Sequence, residues 1–358
     1  MLGVLGQYAR YVPLSLAVLL LPTAVLPLLQ VDWWWVRVWD FPRLQLLVLY
    51  VIVAAMLVPF WFTGAAPKVF LVALVVATAW QYWWIHPYLP IAARESEAAE
   101  ANDPDRRLRL MTSNVLETNR EVAPLLALVR QVKPDVFVAV EVNDWWAEQL
   151  RPLEGEFEHS VLHPRENGYG IMFYSNLELK SGEVRFMVER DFPSIDATVV
   201  LRSGDEVQLF AVHPPPPRPG QDTGERDAEL VLVGREIEKR KGPSVVLGDL
   251  NDVGWSPTTR LFQKVSRLLD PRKGRGMYST FHVEYPLLRY PLDHLFHSDD
   301  FRLVEIKVLP SIGSDHFPLQ ADLSYEPRAK STQEAPPLAP DDEKRADKTV
   351  RKEKGEPE

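Results

Sequence analysis

The stretch SVVLGDLND, residues 244–252, is a short apolar run that breaks at a glycine and then delivers an aspartate, an asparagine and a second aspartate. A run this short, β-branched and closed by a turn signal, reads as a buried strand. Side chains at strand ends in an α/β sheet open into a crevice beside loops and helix starts, where ligands sit. Five other segments repeat the pattern: LRLMTSNV (108–115), DVFVAVEV (135–142), YGIMFYS (169–175), ATVVLRS (197–203) and VQLFAVH (207–213). Residues 121–132 and 227–241 carry the helical apolar period between them. Strands alternating with helices over 108–325 indicate one α/β domain with a sizeable core.

The polar residues closing these runs are the informative ones. Asn114 follows LRLMTS, Glu141 follows DVFVAV and His213 follows VQLFAV. Asp249 and Asn251 follow SVVLG, Asp293 follows RYPL, and Asp315 with His316 follows PSIGS. Singly, each has a bland reading: Asn114 as a cap, Asp249 as a turn starter, His316 as a satisfied core histidine. So many together on separate strands are not explained as caps. Glu, Asp and Asn oxygens with no thiolate suit a hard cation such as Mg²⁺ or Mn²⁺. An Asp–His pair fixes one imidazole tautomer and favours its charged form beside an anion. A further carboxylate orients or deprotonates an attacking water. These residue types in combination point to hydrolysis of a phosphate ester or anhydride. Arg190, in VERDFP between strands, is a candidate phosphate contact, with a surface ion pair as the equal alternative. The basic cluster Arg272, Lys273 and Arg275 reads as a solvated loop, and Trp145, Trp146 and Trp255 as core or rim.

The segments TSN (112–114), VE (140–141), VHPPPP (212–217), GDLND (248–252), LDHLF (292–296) and SDHFP (314–318) follow one another as in the endonuclease/exonuclease/phosphatase superfamily, which is DNase I-like. The resemblance covers 108–325, and GDxN followed by SDH is its most specific part. It implies a four-layer α/β sandwich, two packed sheets with helices outside, and Mg²⁺-dependent phosphoesterase activity. By matching motif, Glu141 resembles the principal metal ligand, with Asn114 beside it and Asp315 as a further metal-site carboxylate. Asp249 resembles the residue that aligns or activates water, and Asn251 the one that contacts the pentacovalent phosphate. His316 resembles the phosphate-contacting histidine oriented by Asp293, and His213 the second catalytic histidine of the DNase-like branch. Val140 stands where Gln often precedes the metal Glu, and four prolines follow His213. The proline run is expected to reshape the substrate rim, so the nucleases' substrate does not carry over.

The chain of 358 residues contains no cysteine, which excludes a disulfide scaffold, a thiolate zinc site and a cysteine nucleophile. Its apolar excess lies in the first ninety residues. Residues 12–31, 44–62 and 69–85 are uncharged and long enough to span a bilayer. Trp33, Trp34 and Trp35, then Trp80, Trp83, Trp84 and Tyr88, sit where aromatic rings meet headgroups. Residues 1–92 therefore read as a membrane domain with three transmembrane helices. A polar linker follows at 93–106, then the catalytic domain at 107–326. Residues 327–358, Lys, Glu, Pro and Ala with almost no large apolar side chain, are expected to be a disordered charged tail. Arg10 and Lys68 fall on one side of the spans and Arg37, Arg43 and Arg94 on the other, a count too small to fix the side of the domain.

A net charge of −9, with acidic residues outnumbering basic ones within 107–322, disfavours nucleic acid, whose affinity draws on Lys and Arg at phosphates. Membrane-anchored bacterial members of the superfamily with several spans before this domain are similar in plan and have been linked to undecaprenyl pyrophosphate. The resulting expectation is an integral protein of the bacterial plasma membrane, partnered by the lipid bilayer, that hydrolyses a lipid, prenyl or small-molecule phosphate. A membrane-tethered nuclease is the alternative.

Overall fold

The computed structural model describes residues 8–29, 31–101, 103–188 and 191–355. The chain divides into two compact units, Met1–Pro87 with Pro217–Asp222, and Tyr88–Pro216 with Thr223–Glu358.

The first unit contains three helical stretches long and apolar enough to cross a membrane, Tyr11–Leu28, Arg43–Phe60 and Ala65–Tyr88. Ala17, Leu46, Tyr50, Val53, Leu57, Leu74 and Ala77 pack between them, while Val18, Leu19, Val48, Val51, Ile52, Val72 and Val76 face outward. An apolar exterior around a small helix bundle is the arrangement a lipid environment stabilises. Several of the buried polar side chains pair with one another, as helices in hydrocarbon favour. Tyr50 Oη lies 2.7 Å from Thr23 Oγ1, and Arg43 bonds Asp40 at 2.5 Å and Gln81 at 2.9 Å.

In the second unit, eleven strands form two mixed sheets. The first has the order β10–β11–β1–β2–β4–β3, from β1 (Arg107–Asn114), β2 (Val136–Val140), β3 (His159–His163), β4 (Ile171–Ser175), β10 (Phe301–Val308) and β11 (Leu319–Tyr325). The second has the order β5–β6–β7–β8–β9, from β5 (Glu178–Phe186), β6 (Pro193–Val200), β7 (Glu206–Val212), β8 (Ser244–Asp249) and β9 (Asp293–His297). Each sheet holds one parallel pair, β1 with β2 and β7 with β8. A parallel pair needs a crossover, here α1 (Val122–Val132) and α3 (Gly224–Arg240), with the short α2 (Asp144–Leu150) following β2.

Period-two alternation sorts the strand residues into layers. Val136, Val138 and Val140 of β2 face the inter-sheet core with Leu209 and Ala211 of β7 and Val245 and Leu247 of β8. Phe137 and Ala139 face the other way, onto Leu125, Leu128 and Val129 of α1 and Trp146 of α2. Phe210 and Val246 face Leu230, Val233 and Ile237 of α3 and Phe262 of α4 (Pro257–Ser266). At these positions β2, β7 and β8 are thus apolar on both faces, so they read as continuous runs, and the architecture is the expected sandwich of two sheets between helical layers.

Two expectations are corrected. Residues 327–358 are not a disordered tail throughout, because α5 (Pro340–Glu353) packs Ala346 and Val350 against Val231, Leu261 and Val265. Two small residues suffice, since α3 and α4 supply the rest of the apolar surface. Lys264 Nζ fixes the start of α5 at 2.9 Å from both Asp342 oxygens. Asp341, Asp342 and Glu343 in the first turn and Arg351 and Lys352 in the last suit the helix dipole. Nor is the segment at 93–106 a free linker. Glu95 accepts from Asp270 N at 2.7 Å, Ser96 Oγ lies 2.8 Å from His297 Nε2, and Ala99 N donates to Leu303 O at 2.8 Å.

Truncation before Pro340 is expected to lower the stability of the second unit by about 2 kcal/mol, from the uncovered Val231, Leu261 and Val265. Denaturant titration of the full chain and the truncated chain measures it; equal midpoints would mean that α5 contributes nothing.

Candidate active site

Four of the candidate residues come from the C-terminal ends of the two parallel pairs, while Asp293 opens β9 and Asp315 and His316 precede β11 rather than ending strands. β1 ends in Asn114 and β2 leads into Glu141; β7 leads into His213 and β8 ends in Asp249. Gly248 makes the last turn of β8 possible: it has φ +137°, and a Cβ there would lie 2.1 Å from Val212 O. Glu141 and Asn251 both adopt the left-handed region, with φ of 60° and 49°. Strained non-glycine backbone of this kind persists where the surrounding structure over-determines it, and it clusters at functional sites.

Asn114 ties the sheets together. Its Nδ2 donates to Glu141 Oε1 at 2.7 Å and to Asp249 Oδ2 at 3.0 Å, while its Oδ1 accepts from Leu116 N at 3.0 Å. Glu141 Oε2 also accepts from Glu117 N at 3.3 Å. Asp249 Oδ1 accepts from Asn251 N at 2.8 Å, and Asn251 Nδ2 donates to the carbonyl of Pro214, the first residue of the proline run, at 3.0 Å.

On the neighbouring strand Asp293 stands directly opposite Asp249. Two facing carboxylates repel unless a cation lies between them, and His316 fills that place. Its Nδ1 is 2.7 Å from Asp293 Oδ2 and its Nε2 is 3.6 Å from Asp249 Oδ2. Burial alone would depress the imidazole, but Asp293 and Asp249 outweigh it and raise its pKa to about 10. His213 Nε2 approaches the same Asp249 oxygen at 3.8 Å. For His213 burial wins, its pKa is lowered and the ring stays neutral. One carboxylate is therefore flanked by a charged imidazole and a neutral one.

Three observations make these residues a fit for a divalent cation. Burial raises Glu141 and pushes Asp249 up to about 6, so a cation beside them would restore their charged forms. Asp293 Oδ1 and both ring nitrogens of His213 are buried without a hydrogen-bond partner. Oxygen and nitrogen atoms of Glu141, His213 and Asp249 lie within 4.8 Å of one another, as do those of Asp249, Asp293 and His316. The donors are mostly hard carboxylate oxygens, as Mg²⁺ or Mn²⁺ requires.

The structure thus gathers Asn114, Glu141, His213, Asp249, Asn251, Asp293 and His316. Asp315 falls outside both ligand groups, and its Oδ1 lies 3.4 Å from Ser314 Oγ. Arg190 lies outside the described residues.

Several supporting residues escape a reading of strand ends. Arg226 is fully buried, and its Nη1 donates to Asn251 O at 2.9 Å, holding the turn after Asp249. The signal was present, because residues 226, 230, 233 and 237 share one face of α3 and an arginine on that apolar face needs a partner. Thr280 Oγ1 accepts from Asp293 N at 3.2 Å. Arg272 is not in a solvated loop: it is buried in an ion pair with Asp270 at 2.7 Å, and its Nη2 lies 2.6 Å from His294 Nδ1. His294 Nε2 in turn reaches Asp252 O at 2.8 Å. Trp146 and Trp255 are core residues.

A model of the Endonuclease/Exonuclease/phosphatase family matches residues 111–316. No curated protein matches the chain by sequence. Several solved structures share the fold. An endonuclease/exonuclease/phosphatase from Bacteroides vulgatus is 17% identical, covers 62% of this chain and 99% of its own, and has a TM-score of 0.51. The mannosyl-6-phosphatase Bt3783 of Bacteroides thetaiotaomicron is 16% identical over 61% of this chain and 100% of its own, with a TM-score of 0.51. TDP2 of D. rerio, complexed with a single-strand DNA product, is 14% identical over 61% and 99%, with a TM-score of 0.52.

Asp293→Asn preserves the shape of the pair and removes its charge. The pKa of His316 is then expected to fall by about 1–3 pH units, measured by NMR titration of the imidazole. An unchanged value would show that Asp293 does not hold the ring charged.

Proposed function

This chain belongs to the endonuclease/exonuclease/phosphatase family, whose members are phosphoric ester hydrolases, and from that premise we propose that it is a membrane-anchored, divalent-metal-dependent phosphoesterase acting on a lipid-borne or prenyl phosphate. The observation that carries the chemistry is Asp249, buried between the charged His316 and the neutral His213 and joined through Asn114 to Glu141.

Each side chain takes a role its surroundings support. The His316 imidazolium, fixed through Nδ1 by Asp293, presents Nε2–H to a phosphoryl oxygen. Asp249 orients an attacking water and accepts its proton, a task suited to a carboxyl raised to about 6. Asn251, held by the Pro214 carbonyl and by Arg226, contacts the phosphoryl group as charge builds on it. The neutral His213 ring directs its one N–H to the leaving oxygen. Glu141, with Asn114 beside it, would hold the Mg²⁺ or Mn²⁺. When bound, that cation supplies charge neutralisation at the phosphoryl and leaving oxygens.

The substrate class rests on chain connectivity and charge. Three helices long and apolar enough to cross a membrane precede the catalytic unit in the same polypeptide, and such an anchor would present a lipid-borne phosphate to it at high effective concentration. The acidic balance of 107–322 weakens the case for a nucleic acid. The location that fits is the bacterial plasma membrane.

Full-length protein purified in detergent is expected to release phosphate from a long-chain prenyl pyrophosphate in the presence of Mg²⁺, and to leave plasmid DNA intact. Asp249→Asn and His316→Ala should each lower the rate by about 10²–10⁴-fold with the fold retained. Near-normal rates in either variant would overturn the site assignment. Nicked plasmid with inert lipid would keep the site and replace the substrate.

A further inference from the structure

Single exposed apolar residues are ordinary, whereas several at one projecting tip are not. In the second unit the exposed large apolar side chains among the described residues are Ile91, Phe186, Tyr285, Leu287 and Leu288, and the last three fall within four residues. Leu287 is 84% exposed, Tyr285 55% and Leu288 51%.

These residues form the tip of a hairpin whose base is part of the catalytic site. Phe281 bridges to Tyr290 across the hairpin and to His316 beside it, and the rings of Phe281 and His316 are 4.9 Å apart. Val283 N donates to Asp315 O at 2.9 Å. Thr280, at the foot of the hairpin, accepts from the backbone of Asp293. Arg289 ties the two arms, its Nη2 donating to Val283 O at 2.8 Å and its Nε to His282 O at 3.3 Å, while its guanidinium lies over Phe317. The tip itself is a tight turn at Pro286–Leu288, with Leu288 N bonded to Tyr285 O at 2.8 Å. The hairpin is braced at its base and apolar at its end.

We infer that the tip at 285–288 inserts into the surface of the bilayer that anchors the chain, setting the His316 side of the site against the headgroups. The chain carries three helices long and apolar enough to cross a membrane, so a bilayer is the apolar phase at hand for this tip, and the tip offers what that interface accepts. An aromatic hydroxyl side chain and two leucines bury well at a headgroup–acyl boundary. For its purpose the inference rests on the lipid-borne substrate proposed above, but its geometry does not.

The absence of native cysteine allows a clean test. Full-length Leu287→Cys, labelled with a polarity-sensitive fluorophore, is reconstituted in phosphatidylcholine/phosphatidylglycerol vesicles containing spin-labelled lipid. Ser203→Cys is the control, because it lies in the turn before β7, at the end of that strand opposite His213. The expected result is a blue-shifted emission at 287, quenched at least about 2-fold more than at 203. In the same vesicles Leu287→Ser with Leu288→Ser should lower hydrolysis of long-chain prenyl pyrophosphate by about 10-fold and leave hydrolysis of a water-soluble phosphate monoester unchanged. Equal, weak quenching at both positions overturns the inference even if lipid is hydrolysed. Strong quenching at 287 without lipid hydrolysis sustains it and removes the proposed substrate instead.

Discussion

One side-chain amide spans the gap between the two sheets, and the site depends on it. Asn114 ends a strand of the first sheet and donates both to Glu141, beside it in that sheet, and to Asp249, which ends a strand of the second. Two buried carboxylates aimed at the same small volume would otherwise repel or drift apart. The amide fixes their separation without neutralising them, leaving a pair of acids that favour a cation. The inter-sheet core sets the geometry, because Val138, Val140, Leu209 and Leu247 determine how closely the strand ends approach. The catalytic constellation is a consequence of sheet packing.

Much of this was legible in the sequence, for one physical reason. The central strands are covered on both faces, so they appear as unbroken apolar runs, and the polar residue ending each run stands out. That contrast marked Asn114, Glu141, His213 and Asp249. It fails at the margins. β3, at one edge of its sheet, is partly exposed along its length, and β5 is largely solvated, so neither shows a clear run. α5 carries only Ala346 and Val350 as buried residues, too few to lift a charged segment above the composition of a disordered tail. Arg272 reads as part of a solvated loop, and Arg226 draws no notice, for another reason: composition counts a guanidinium as surface, and only the fold reveals the carboxylate or carbonyl it serves.

The three long apolar helices pack Ala17, Leu46, Tyr50, Leu57 and Leu74 between them and leave Val18, Leu19, Val51 and Val76 exposed, an exterior suited to lipid. The hairpin at 281–290 repeats that choice beside the site, with polar and backbone bonds at its base and apolar side chains at its tip.

The proposed chemistry requires a divalent-cation site at Glu141, which Asn114 links to Asp249. Binding of Mn²⁺ to the full-length protein, followed by electron paramagnetic resonance, tests it without reference to any substrate. Wild-type protein should take up Mn²⁺ in competition with Mg²⁺, and Glu141→Gln should weaken that binding by about 10-fold or more. Undiminished Mn²⁺ binding in Glu141→Gln would contradict the account, since the cation would then be held elsewhere.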